Sequence, residues 1–381
     1  MARILIASDA FWGHTGYAVQ SRYIMEGLKS RSHNVAFFAY WGLYGGIVNV
    51  NGITVYPSSG TTGTDVIGGH VMHFRADLII TLQDLHALGI EYKRNAGVPW
   101  IAYAPVDHEP CPQKVADISK TVDVVVPMSK NGQKTLNEKG VKTVEAIPHC
   151  VDTKVFRKKS QIEARKARRL PESGTIIGIV AMNKSYPSRK NFAEMFLSFK
   201  EYLSIDPTAK LLVHTIPVMP GGIDLYALAN DCGINNNQII YTHIYECFLG
   251  IPPEEMANFY NAIDVLLMTT SGEGFGIPSI EAQACGTPVI VTDFTAMPEF
   301  CYFGQAVPVH HKWYSRQLAW QALPDPKKVA ESIDYLVKFK NQSPGKYEEE
   351  MKKGIEKIEQ NHSTELFVNS WMSVIEECLK K

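Results

Sequence analysis

Short β-branched or apolar runs alternate with helical patterns along this chain, and the alternation occurs twice. Ile4–Ala7, Val35–Tyr40, Leu78–Leu82, Trp100–Ala104 and Val122–Val126 make a first series. Ile176–Ala181, Leu211–His214, Ile239–Thr242, Val265–Met268 and Val289–Thr292 make a second. Such alternation predicts a parallel sheet covered by helices. A chain of 381 residues also exceeds the size at which one hydrophobic core keeps growing. The expected fold class is therefore α/β, with two Rossmann-like, doubly wound domains facing each other across a cleft, because open sheets of this kind bind ligands beyond the carboxyl ends of their strands.

The expected boundaries follow the pattern. Residues 1–155 form an N-terminal Rossmann-like domain, 156–173 a linker, 174–360 a C-terminal Rossmann-like domain, and 361–381 a C-terminal helix that packs back on the first domain. The linker reading rests on the charged stretch from Thr153 to Ser173, which closes on Pro171. In the last helix, Phe367, Trp371, Val374, Ile375 and Cys378 fall near helical spacing, a packing stripe without chemistry.

Composition narrows the classes. The formal net charge of -1 gives the whole chain no pull towards nucleic acid or an anionic membrane, so any such affinity needs a local patch. Seven scattered cysteines, never spaced C-x-x-C, read as reduced thiols rather than a disulfide framework or zinc site. The first apolar run ends at Asp9, too soon for a signal peptide, and no run is long enough to span a membrane. The expected location is cytoplasmic.

The most informative segment is Ser271-Gly272-Glu273-Gly274-Phe275-Gly276-Ile277-Pro278-Ser279-Ile280-Glu281-Ala282. Pro278 suits the first turn of a helix and Gly286 the position past its end. Gly274 and Gly276 let backbone approach a ligand, and the helix start offers N–H groups to an anion or a polar oxygen. Glu273 and Glu281 are offset along that wall. Ionised carboxylates there can accept from the vicinal hydroxyls of a sugar and of a ribose. The plainer alternative has Glu273 as a helix-start charge and Glu281 as a solvated helix residue.

These residues carry a resemblance. Glu273-Gly-Phe-Gly-Ile-Pro-Ser-Ile-Glu281-Ala, continuing into Ala284-Cys-Gly-Thr-Pro-Val, resembles the E-x7-E signature of family 4 glycosyltransferases, retaining enzymes of GT-B fold. Ile147–Asp152 and Phe259–Val265 resemble further segments of that family. The resemblance implies that Glu273 and the amides of Gly274, Phe275 and Gly276 hold the donor sugar, and that Glu281 holds the ribose. It implies a nucleotide-sugar donor bound without metal or other cofactor, with the N-terminal domain on the acceptor side. No Asp-x-Asp pair occurs in the chain.

A second loop, Asn183–Asn191, places Lys184, Arg189 and Lys190 before a helix. A cation against a departing diphosphate stabilises the charge where it forms. Lys190 is the first candidate. The family supplies an arginine several residues earlier, and here that register falls on Asn183 or Lys184, with Arg189 able to replace the charge. In the N-terminal domain, Gly13 and Gly16 lie in the loop after the first strand, where a helix start near Gly16 directs N–H groups at the diphosphate. The segment His108-Glu109-Pro110 resembles one in which some family members carry an active-site histidine, implied to contact the donor sugar. Asp107 and Glu109 can instead bind acceptor hydroxyls or cap a helix.

The resulting expectation is a retaining hexosyltransferase using a UDP-sugar, or a GDP-sugar, on an unidentified hydroxyl acceptor. Two rivals stand beside it. The basic segment 154–169 motivates a nucleic-acid-binding protein or a nucleic-acid-directed transferase. A nicotinamide oxidoreductase would share the twin α/β pattern, but it needs G-x-G-x-x-G and an acid after the second strand, and Phe38-Ala39-Tyr40-Trp41 supplies none.

Overall fold

A computed structural model describes residues 1–60, 62–185 and 187–380. Tyr186, in the lysine-bearing loop, lies outside the described residues. The chain divides into two compact units: Met1–Cys150 with Arg316–Ala319 and Thr364–Lys381, and Val151–Ser315 with Trp320–Ser363.

The first unit is built on seven strands: β1 (Arg3–Asp9), β2 (Asn34–Tyr44), β3 (Val48–Val50), β4 (Ile53–Ser58), β5 (Leu78–Leu82), β6 (Trp100–Ala104) and β7 (Val124–Pro127). Their order is β3-β4-β2-β1-β5-β6-β7, parallel throughout except for β3 against β4. The helices are α1 (Gly16–Ser30), α2 (Ile67–Phe74), α3 (Tyr92–Ala96), α4 (Gln113–Ser119) and α5 (Lys130–Glu138). β5, β6 and β7 are buried along their whole length, which explains their unbroken apolar runs. The helix Thr364–Leu379 belongs to this unit. Its Trp371 ring meets Tyr103 edge-on at 5.0 Å, and Val368 fills the space that a Cβ on Gly27 of α1 would need.

The second unit holds six parallel strands: β8 (Ile176–Val180), β9 (Lys210–His214), β10 (Ile239–Tyr241), β11 (Val265–Met268), β12 (Val289–Thr292) and β13 (Gly304–Val307), in the order β10-β9-β8-β11-β12-β13. A separate antiparallel pair, β14 (Val309–Tyr314) and β15 (Trp320–Pro324), follows. The helices are α6 (Gln161–Ala167), α7 (Phe192–Leu203), α8 (Leu225–Asp231), α9 (Ile244–Leu249), α10 (Pro253–Ala262), α11 (Ile277–Ala284), α12 (Pro326–Gln342) and α13 (Pro344–His362). Apart from β3, both sheets run in the order third, second, first, fourth, fifth, sixth. Each therefore has a switch point beside its first strand, between β1 and β5 and between β8 and β11.

The segment 156–173, which its charges mark as a linker, is folded into the second unit. α6 packs on α10 because Arg165 is only 3% exposed and donates to the Ala262 carbonyl at 2.8 Å and to Asp264 at 2.8 Å. Arg168 lies 3.7 Å from Glu255. The basic run is thus partly engaged internally. Among the described residues, no helix is long and apolar enough to cross a membrane.

Candidate active site

The loops leaving β8 and β11 diverge around the switch point of the second sheet, and side chains hold them together. Asn191, in left-handed conformation at φ 53° where α7 begins, donates to the Thr269 carbonyl at 3.0 Å and accepts from the Ser271 hydroxyl. The Ser271 amide donates to the Arg189 carbonyl at 2.8 Å, and the Arg189 guanidinium donates to the Gly272 carbonyl at 2.6 Å. The β8 loop is thereby fastened to the glycine loop.

This fastening brings three charges together. Glu273 is 7% exposed; Lys190 Nζ lies 2.6 Å from one of its carboxylate oxygens and an Arg189 guanidinium nitrogen 2.7 Å from the other. Its own amide donates to the Thr295 hydroxyl at 3.0 Å. Burial alone would raise the Glu273 carboxyl, but Arg189 and Lys190 outweigh it and hold the carboxyl below its ordinary value. Burial and the neighbouring Arg189 charge lower Lys190, against the pull of Glu273. Two cations on one carboxylate leave the trio a formal charge of +1, which suits an incoming anion.

Gly276, at φ 96°, opens α11, and a Cβ there would meet the Met268 methyl at 2.5 Å. Both facts require glycine. Gly274 lies in the same buried loop. The Phe275 ring lies tilted against Phe300 at 4.1 Å and edge-on to His362 at 5.7 Å, which anchors the loop.

Glu281 sits on α11 and accepts a 2.7 Å hydrogen bond from the Tyr260 hydroxyl. Thr287 in turn donates to the Tyr260 carbonyl at 2.7 Å. Burial pushes the Glu281 carboxyl up to about 7, against the Tyr260 hydrogen bond. The native state keeps this proton between about 4.5 and 7 while the unfolded chain has lost it. The group's contribution to stability is thus full below 4.5 and falls as pH rises to 7, by on the order of 3 kcal/mol. Glu281→Gln is expected to flatten that part of the profile in urea melts taken from pH 5 to pH 8.

Asn183, Lys184 and Arg189 stand in three different environments. Asn183 is fully buried, and its amide donates to the carbonyls of Ile216, Pro217 and Ile223 while accepting from the Ile223 amide. It clamps the loop after β9. Lys184 is exposed, and its charge acts on Lys190. Arg189 is the cation joined to Glu273 beside Lys190. Asn191 and Ser271 lie in the two segments chosen from sequence but received no role there, Tyr260 lies within a family-like segment, and Thr295 carried no sequence signal.

Gly13, Gly16 and His108 lie in the first unit. The Gly13 amide donates to the Ala10 carbonyl at 2.7 Å, and a Cβ at Gly13 would stand 3.0 Å from that same oxygen. Gly16 is the first residue of α1, and Thr15 caps the helix by accepting from the Ala18 amide at 3.1 Å. His108 is 2% exposed, with Nδ1 2.6 Å from the Asp107 carboxylate; Glu109 accepts from Asn131 at 2.8 Å. No group of three or more His, Cys, Asp or Glu side chains able to hold a metal occurs among the described residues.

Residues 224–353 match the family described as glycosyl transferases group 1. The D-inositol 3-phosphate glycosyltransferase of Segniliparus rotundus is 27% identical over 159 residues, 41% of this chain and 33% of that protein. The chain thus spans about a third of the length of the curated relatives it matches. Among solved structures, sucrose-phosphate synthase of Thermosynechococcus elongatus superposes with a TM-score of 0.74 at 15% identity, covering 99% of both chains. Anabaena HepE in complex with UDP-glucose gives 0.72 at 12% identity, covering 99% of this chain and 100% of that one. The fold is GT-B.

Proposed function

We propose that this chain is a retaining glycosyltransferase that takes a hexose from a nucleotide sugar, preferentially a UDP-sugar, to a hydroxyl acceptor. The observation that carries the reading is the Arg189–Glu273–Lys190 trio at a switch point, beside a glycine loop that opens a helix. The names of the Segniliparus relative and of HepE in complex with UDP-glucose support a sugar-transfer reaction and a uridine donor.

In this reading Glu273 and the loop amides take the sugar hydroxyls, Lys190 and Arg189 face the diphosphate, and Glu281 takes the ribose hydroxyls. The acceptor oxygen forms a bond to the anomeric carbon as the bond from that carbon to the diphosphate oxygen breaks. The electron pair leaves with the nucleoside diphosphate, and the acceptor proton passes to a departing phosphate oxygen, so no protein nucleophile is consumed. His108, held by Asp107, is the candidate catalytic group of the first unit. Binding is metal-independent and the protein cytoplasmic. EDTA should leave turnover unchanged.

A thermal-shift panel of UDP- and GDP-sugars tests the reading. A donor at about 100 times its Kd adds about 2.7 kcal/mol of stability, and a UDP-sugar should give the largest rise in Tm. Absence of a shift with every donor overturns it. A nucleic-acid-directed role draws less support, because Arg165 and Arg168 are engaged within the second unit.

A further inference from the structure

Eight non-glycine residues among those described adopt a left-handed φ, and six of them are exposed. The two that are buried, Asn191 at 3% exposed and Thr295 at 4%, both hydrogen-bond to the glycine loop. Asparagine tolerates this conformation, because its short polar side chain can hydrogen-bond locally. Threonine does not. A branch at Cβ crowds the neighbouring backbone, so a β-branched residue at φ 53° is strained. Such strain persists only where the surrounding structure holds it, and it gathers at sites that bind or react.

The contacts of Thr295, which follows β12, show what it holds in return. Its hydroxyl donates to the Phe294 carbonyl at 2.7 Å and accepts from the Glu273 amide at 3.0 Å, and the next amide, that of Ala296, donates to the Glu273 carbonyl at 3.4 Å. Both main-chain groups of Glu273 are therefore engaged by consecutive residues of one turn. The residues before Glu273 are held as well: the Thr270 carbonyl accepts from the Thr292 hydroxyl at 2.8 Å, and the Ser271 carbonyl from the Ala322 amide at 2.9 Å. Glu273 itself stands between Gly272 and Gly274, whose backbones are the freest a chain offers. Without an outside grip this stretch has little to fix it.

We propose that Thr295 is a positioning residue: its strained turn fixes the main chain of Glu273 and so sets where the Glu273 carboxylate meets the sugar. The inference rests on the reading of Glu273 as a donor-sugar contact, although the grip on the loop is separable from it. Arg189 and Lys190 hold the carboxylate end, but long cationic side chains follow the group they pair with, whereas the main-chain grip gives the Glu273 side chain a fixed origin. Misplacing such a contact by an ångström can cost on the order of 100-fold in rate.

Thr295→Val keeps the volume and the branch at Cβ and removes the hydroxyl, which leaves the Glu273 amide buried without that acceptor. Hydrogen exchange by mass spectrometry over residues 270–276 is expected to quicken at least about tenfold, with peptides of the first unit unchanged. UDP release from UDP-glucose, UDP-galactose and UDP-N-acetylglucosamine should show kcat lowered about 10- to 100-fold for the sugar that is used, with UDP affinity retained. Thr295→Ser, which restores the hydroxyl, should recover most of both. A residue acting through Glu273 has little left to act on once that charge is gone, so in a Glu273→Gln background Thr295→Val should cost no more than about twofold. Unaltered exchange, a full loss on top of Glu273→Gln, or Thr295→Ser as impaired as Thr295→Val overturns the proposal. If Thr295→Val does not fold, Thr295→Ala replaces it, with the same expected effects. Normal turnover and unaltered exchange in the variant sink this inference alone. Faster exchange in the variant, with no turnover of any UDP-sugar by the unaltered chain, upholds the grip and sinks the donor reading alone.

Discussion

Glu273→Gln is expected to lower kcat/KM for a UDP-sugar by about 10²- to 10³-fold, the size of effect seen when one preorganised electrostatic contact to a transition state is removed. The amide keeps the volume of the carboxyl and loses its charge. It can still accept from sugar hydroxyls, but it no longer balances Arg189 and Lys190, which stand 2.7 and 2.6 Å away. The two cations then repel each other in a buried loop, and a broken buried pair costs on the order of 3–5 kcal/mol. The measurement therefore pairs steady-state kinetics with a thermal melt and a UDP titration. A fall in kcat with UDP affinity retained fits a group acting on the sugar. Unchanged kcat would remove Glu273 from the chemistry.

The same residue illustrates what could be read without coordinates. Strands buried on both faces were legible because such parallel strands must be continuous apolar runs, as in β5, β6 and the edge strand β7. Short or exposed strands were not. Val48–Val50 of β3 is largely exposed, β13 is four residues beginning at Gly304, and β14 carries His310, His311 and Lys312. Strands that face water need no apolar signature, so nothing marked them. The segment 156–173 misled through composition, since a charge run does not disclose that Arg165 is buried against Asp264, 99 residues away in sequence.

Within the candidate site, local motifs were visible and their partners were not. The glycine loop and both glutamates could be chosen from one stretch, because helix starts and glycines obey local rules. That Arg189 as well as Lys190 reaches Glu273 depends on how Asn191 and Ser271 tie two loops together. That Glu281 is buried against Tyr260, 21 residues earlier, depends on the packing of α10 on α11. The three carboxylates Asp9, Asp84 and Asp107 of the first unit come from the ends of three strands, a separation no motif spans.

Lys190→Ala is expected to reduce kcat on the order of 10²- to 10³-fold, more than it raises KM, because charge on the diphosphate grows as the bond to the sugar breaks. Lys190→Arg should recover part of the loss, since it restores the cation without the same reach. The sharper test is the double variant. Lys190 and Glu273 share one ion pair, so removing either already disrupts what the other depends on. Glu273→Gln with Lys190→Ala is therefore expected to cost less than the two single losses combined, with a coupling of about 0.5–3 kcal/mol. Arg189 supplies an internal control, because it remains against the same carboxylate when Lys190 is gone. Strict additivity would mean that the two side chains act independently and that their ion pair contributes nothing to the reaction.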